Sequence, residues 1–404
     1  MTSPPPDREV GALQLQPFRG LHLSPAVTGR DLADVTLDPP ALWDFAAMSG
    51  LAASSDHHVL RLLAPSLTGG SSAPETAAGW LASGALTVER SPGLYAWRWS
   101  SQGRSVVGVA GALPLPAPDV WPHEQVRPGL LAERATELGS GAVQAEPILL
   151  LYDGWQPLLD GTPEDDSPPL VEVQAPSGSH QVSAITEPEP VAAVNAALAG
   201  SSLVVADGHH RFALLGGRGR PRTRAFVLVV DQPRSELTVG PIPRVAGDVD
   251  WEKVWSTPGA RLVELAEDTE ADFLAEGPSG RLRWVLGDPT WTVGLEMTPG
   301  AAAALGPARS EPCGPISADI CSLHAHLLPW WGVPAERVHY AHSWESARTD
   351  AGARRGLAVA GRPPQLREVM AAARSGTLLP HKATSIAPKP RAGLLMLGDG
   401  LVGS

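Results

Sequence analysis

The chain has 404 residues, enough for two domains or one large elaborated domain, and 43% of them are hydrophobic, an ordinary share for a soluble globular protein. A formal net charge of −12 argues against general binding to nucleic acid or an anionic membrane, both of which favour basic surfaces, and leaves room only for a local basic pocket. No apolar run is long enough to cross a bilayer, and two cysteines (Cys313 and Cys321) with no basic-then-apolar leader give the expectation of a reducing cytoplasm, both thiols being small core residues.

Residues 1–6 are polar and proline-rich, and disorder is expected over 1–17. Asp38-Pro39-Pro40 reads as a rigid turn ahead of Trp43 and Asp44, and residues 57–63 read as a strand. A helix is expected over 74–83, and residues 93–99 and 104–110 alternate like the strands of a hairpin. A polar stretch from Trp121 to Arg134 precedes an apolar strand at 147–151 and an acidic, proline-rich exposed loop at 161–169. A short helix at 191–199, a buried strand at 202–205, a helix start at 212–215 and an apolar strand at 223–230 follow, the last three suggesting a βαβ unit. Beyond Asp248 the pattern continues with helices at 266–275 and 319–328, strands at 281–286 and 291–297, and further α/β alternation through 354–359 and 365–373. Residues 393–397 read as a strand returning to the core. The expected fold class is α/β around a mixed sheet. Residues 18–248 form a motif-bearing α/β region and 249–404 a C-terminal α/β region closing over the site, although no linker marks the boundary and one interlocked domain fits nearly as well.

The most informative text is Val205-Ala206-Asp207-Gly208-His209-His210-Arg211, placed between the strand and the helix start. One strand-to-helix turn thus gathers a carboxylate, a glycine, two imidazoles and a guanidinium. Gly208 lets the backbone approach a ligand, and Arg211 can fork onto phosphate or carboxylate oxygens. Asp207 can hold magnesium or orient a histidine, and His209 or His210 can carry a proton or stabilise charge. The plainer alternative is a polar helix start in which Asp207 caps and the histidines face solvent.

Two further stretches carry chemistry. His123-Glu124 follows a tryptophan-proline turn and precedes Arg127 and Arg134, so a carboxylate beside an imidazole is available as a general base and the arginines can neutralise phosphate, unless this is a solvated loop. Near the end, Pro380-His381-Lys382-Ala383-Thr384 and Pro388-Lys389-Pro390 set two lysines and a hydroxyl on a stiff backbone suited to a wall facing an anionic ligand. Asp319, His324, His326, His339 and His342 match no metal-binding spacing, and neither a Walker loop nor a G-x-S-x-G elbow is present.

Taken in order, Phe18-Arg19-Gly20-Leu21, Pro39-Pro40, His123-Glu124, Ala206-Asp207-Gly208-His209-His210-Arg211, Pro380-His381-Lys382-Ala383-Thr384 and Pro388-Lys389-Pro390-Arg391-Ala392-Gly393-Leu394 resemble the domain-of-unknown-function 1015 family over nearly the whole chain. The Asp-Gly-His-His-Arg string is also similar to the signature of the ParB and sulfiredoxin superfamily, which includes free-serine kinases. The resemblance implies a ParB/sulfiredoxin-like core, with Asp207, Gly208, His209, His210 and Arg211 as a phosphate and magnesium cradle and Glu124 as the base that accepts a hydroxyl proton. His123, Arg134, Lys382, Thr384 and Lys389 would complete the phosphate and substrate contacts. The chain departs from the family pattern where Ala41-Leu42-Trp43 replaces a tyrosine turn, where Gln125-Val126 replaces a basic residue and a threonine, where Glu133 stands for an aspartate, and where Ala383 takes a hydroxyl position.

The leading function is transfer of a phosphoryl group to a small hydroxyl-bearing metabolite, with L-serine the favoured acceptor, ATP, ADP or pyrophosphate the donor, and magnesium the cofactor. A ligand or nucleotide sensor that keeps the cradle without turnover is the alternative, and a ParB-like nucleotide hydrolase is a third. The expected partners are the substrate and phosphate donor, without nucleic acid or membrane.

Overall fold

The computed structural model describes residues 13–38, 45–69, 71–127, 143–159, 168–216, 223–266, 268–275, 280–306, 319–398 and 401. Residues 1–12, the Pro39-Pro40 turn with Trp43 and Asp44, Glu133 and Arg134, most of the acidic loop, and Cys313 lie outside them. The chain divides into two units: Met1–Pro122, Val126–Leu237 and Pro388–Ser404 form the first, and His123–Gln125 with Thr238–Ala387 form the second. It therefore leaves the first unit and returns to it twice, where the sequence suggested one boundary near Asp248.

In the first unit, β1 (Leu21–Leu23) pairs with β2 (Leu86–Val88), and a mixed sheet is built from β3 (Leu94–Ser101), β4 (Arg104–Pro114), β5 (Val120–Trp121), β6 (Ile148–Tyr152), β7 (Val171–Ala175), β8 (Gly178–Ile185), β9 (Leu203–Asp207) and β10 (Arg224–Asp231). Its order is β5-β9-β6-β10-β4-β3-β8-β7. The hairpin of β3 and β4 turns on Gln102-Gly103, both at positive φ, the geometry that matches the twist of paired strands. The expected βαβ unit is corrected. β6, buried at all five residues, lies between β9 and β10, runs antiparallel to β9 and parallel to β10, and so makes those two strands antiparallel to each other. An entirely apolar strand from elsewhere in the chain has taken the central slot.

Residues 57–63, expected as a strand, instead make a turn into the short helix Leu60–Leu63, with the His58 Nδ1 accepting from the Leu60 N–H at 3.2 Å. Residues 13–17, expected to be disordered, are packed: Leu13 and Leu15 are buried, and the Leu15 N–H donates to Asn195 Oδ1 at 2.8 Å. Residues 393–397 form single bridges, Leu21 with Met396 and Gln144 with Leu397, rather than a strand. The Phe18-Arg19-Gly20-Leu21 text is explained by packing. The Tyr95 hydroxyl accepts from the Gly20 N–H at 2.7 Å and donates to the Phe18 carbonyl at 3.0 Å, and a Cβ on Gly20 would lie 2.7 Å from that hydroxyl.

The second unit pairs β11 (Thr238–Gly240) with β18 (Ser385–Ala387) and builds an antiparallel sheet from β12 (Arg244–Ala246), β13 (Arg261–Glu264), β14 (Leu282–Gly287), β15 (Thr292–Met297), β16 (Val338–Tyr340) and β17 (Leu357–Gly361), in the order β13-β15-β14-β17-β12-β16. The registers set Arg261 and Arg283 opposite Glu296, whose buried carboxylate accepts from both. Helix 319–328 is interrupted by a π turn at Leu323–Leu327. Cys321, expected as a core thiol, is buried and disulfide-bonded.

Burial, reinforced by Arg391, lowers both His58 and His180 to about 4. Between the ordinary histidine value of 6.5 and about 4, the unfolded chain takes up protons that these folded rings refuse, so stability falls as pH drops through that window. Each ring contributes on the order of 3 kcal/mol. His180→Phe, which keeps a ring stacked on Trp99, is expected to flatten the fall in thermal midpoint between pH 7 and 4. A slope equal to that of the parent protein contradicts this.

Candidate functional site

Asp207 ends a strand whose four preceding residues are all buried. The β6–β9 register sets Leu150 opposite Val205 but Leu149 opposite Asp207, so Ala206 is an extra residue and the ladder bulges one step before the carboxylate. Bulges of this kind re-aim a side chain where pairing ends. Gly208 follows at φ +88, a left-handed conformation, and leads into the helix His209–Leu215. A Cβ there would sit 3.1 Å from Arg211 Nη2 and 3.3 Å from Ile148 Cγ1, so the glycine leaves room for the guanidinium.

The Lys389 ammonium donates to Asp207 Oδ1, and Arg211 Nη2 lies 3.4 Å from Asp207 Oδ2. Burial alone would raise the Asp207 pKa. Lys389, then Arg211 and His209, outweigh it and bring the group down to about 2, leaving a carboxylate at any physiological pH. Arg211 Nη2 also pairs with Glu146 Oε1 at 3.1 Å, and its Nη1 donates to the carbonyls of Glu146 and Pro147. The guanidinium thus braces β6 against β9. His209 is buried, and His210 Nε2 accepts from the Arg127 N–H at 3.3 Å, which puts the proton of the neutral ring on Nδ1.

A second cluster lies within the second unit. Glu124 Oε1 accepts from the Thr384 N–H and hydroxyl, each at 2.8 Å, and Oε2 accepts from the Lys382 N–H at 3.1 Å. Because the Thr384 proton goes to Glu124, His123, fully buried with its Nε2 at 2.8 Å from the same hydroxyl, must donate. The Leu379 N–H donates to the His123 carbonyl and the Gln125 N–H to the Leu379 carbonyl, so the two segments are laced by backbone as well. On the other side, Arg244, 1% exposed, donates to the Lys382 carbonyl at 2.8 Å and through Nε to His324 Nε2 at 3.2 Å, and lies 5.3 Å from the centre of the Tyr340 ring. Lys382, at φ +59, is held by its backbone with its side chain exposed.

The structure therefore brings Asp207, Gly208, Arg211 and Lys389 together in the first unit, with His209 and His210 on the adjoining helix. It brings His123, Glu124, Lys382 and Thr384 together in the second. Arg134 lies outside the described residues. Glu146 and Arg244 have no motif in the text: each is set by which strand lies alongside, although Glu146 does directly precede the Pro147 start of an apolar run.

The model of a family described as a protein of unknown function (DUF1015) matches residues 15–260. The chain belongs to this family. No curated protein matches this DUF1015 member. Among solved structures it is similar to a C-terminally truncated SbnI from Staphylococcus aureus, with 11% identity over 70% of this chain and 85% of the other and a TM-score of 0.39. A free serine kinase variant in complex with ADP is similar at 16% identity over 70% and 92% of the two chains, TM-score 0.38. A conserved hypothetical protein from Pyrococcus furiosus is similar at 16% identity over 72% and 95%, TM-score 0.40. Likeness this distant transfers no residue role to the DUF1015 chain.

Within the second cluster, Glu124→Gln sets an amide NH2 against an N–H or hydroxyl donor. It is expected to lower stability by about 2 to 4 kcal/mol in urea unfolding. A loss below about 0.5 kcal/mol contradicts the clamp.

Proposed function

We propose that this protein transfers a phosphoryl group to a small hydroxyl-bearing metabolite, and that the Asp207 cluster handles the phosphates. The observation that carries this reading is one carboxylate at a bulged strand end, between an ammonium and a guanidinium, on a turn that only glycine fits without strain. Phosphoryl transfer asks for positioned charge rather than covalent help from the protein. Lys389 leaves Asp207 for the donor's phosphate oxygens, and Arg211, already braced, keeps the turn in place while charge moves.

Among the described residues no three His, Cys, Asp or Glu side chains gather as a metal site, and Asp207 and Glu146 both pair with Arg211, so magnesium would enter with the donor's phosphates and take Asp207 once Lys389 has moved. Bound there, it would neutralise charge on the donor. The acceptor oxygen bonds to phosphorus as the bond from phosphorus to the donor's bridging oxygen breaks, and the hydroxyl proton is lost to solvent or the departing phosphate. ATP, ADP or pyrophosphate fits the same cradle, and L-serine as acceptor rests on the motif's likeness to free-serine kinases. We assign Glu124, whose two carboxylate oxygens accept three hydrogen bonds from Lys382 and Thr384, to positioning that segment.

Lys389→Met is expected to weaken magnesium-ADP and magnesium-ATP binding by roughly ten- to a hundredfold in calorimetry, the range of a lost charge-assisted hydrogen bond. Parent-like affinity for both nucleotides contradicts the reading.

A further inference from the structure

The first unit contains a cavity of about 530 Å³ that shares no lining residue with the Asp207 cluster. It falls in the size range of small-molecule sites. Arg30, Asp34, Asp38, Leu51, His58 and Arg391 line it. Two of these form a rigid floor. Arg391, 4% exposed, donates through Nε to Thr36 Oγ1 at 2.5 Å and through Nη2 to the Thr36 carbonyl at 3.0 Å, and Nη1 pairs with Asp38. His58, 1% exposed, has its Nδ1 occupied by the Leu60 N–H, which leaves the ring proton on Nε2 as a donor. Nothing among the described residues accepts that proton. Burial, with Arg391 and Arg61 nearby, keeps the ring neutral at physiological pH.

With no acceptor among the described residues, that N–H is available to an oxygen of a ligand at the cavity floor. The walls carry two guanidinium and two carboxylate groups, which balance. Arg391 and Asp38 pair with each other, so a simple anion would gain from Arg30 and lose against Asp34, and a simple cation would do the reverse. A ligand carrying both charges gains from each.

We propose that this cavity binds a small zwitterion of the α-amino-acid kind, its carboxylate accepting from His58 Nε2 on the Arg391 side and its ammonium facing Asp34 and Asp38. This assignment is independent of the phosphoryl-transfer reading and uses none of the Asp207 cluster.

The test is calorimetry on the full chain with the common L-amino acids, each compared with its N-acetyl and its amide derivative. At least one amino acid is expected to bind with one-to-one stoichiometry, and both derivatives, each lacking one charge, to bind at least tenfold more weakly. His58→Asn keeps an acceptor for the Leu60 N–H but removes the Nε2 donor, and is expected to cost at least tenfold. Asp34→Ala, at an exposed position, is expected to do the same and carries the test if the buried variant does not fold. Asp207→Asn is expected to bind as the parent does, which separates this site from the phosphate cradle. Absence of binding by any amino acid, equal binding of either derivative, or parent-like affinity in Asp34→Ala overturns the proposal.

Discussion

A carboxylate at the end of a buried strand needs cations to stay ionised, and at Asp207 they come from very different distances along the chain. Arg211 is one helical turn away, whereas Lys389 is 182 residues away, on the segment that rejoins the first unit after the whole of the second has been built. That single ion pair ties the function of the turn to the return of the chain. The same segment repeats the bond at each step: the Pro388 carbonyl accepts from Trp99, Arg391 is fixed on Thr36, Ala392 bridges to Leu37, and Met396 bridges to Leu21. Prolines at 388 and 390 fix the backbone φ on either side of Lys389, so the segment's two cations are placed by backbone stiffness as well as by their partners.

The second unit solves a similar problem in the opposite sense. There a carboxylate, Glu124, is satisfied by backbone N–H groups and a hydroxyl, and a guanidinium, Arg244, by backbone carbonyls, with the segment around Lys382 held between them. A backbone gripped from both sides can keep a non-glycine residue at positive φ, as Lys382 is. The charges in this cluster serve the shape of one loop.

Local chemistry was legible in the sequence and partnership was not. The turn at Gln102-Gly103, the capping box of Ser72 and Glu75 at the start of the helix Ala73–Ser83, and the strand-to-helix position of Asp207 and Gly208 all follow from neighbours in the text. The order of β9, β6 and β10 does not, because an all-buried strand carries no mark of which edge it will join. Residues 57–63 read as a strand from their apolar run, yet fold as a turn and a short helix in which His58 bonds to the Leu60 N–H and Val59 and Leu60 are buried together. Arg211 was legible as a phosphate-type side chain, but its engagement with Glu146 and two carbonyls depends on β6 lying alongside, which only the folded chain supplies.

Phosphorus-31 NMR of the protein with magnesium, L-serine and a mixture of ATP, ADP and pyrophosphate, run beside Asp207→Asn, addresses the central claim most directly. A phosphoserine resonance growing as one donor resonance falls, and missing from the variant, is the predicted result, and the falling resonance identifies the donor. Spectra unchanged with time, or an Asp207→Asn variant as active as the parent, would contradict a phosphoryl-transfer role for this cluster.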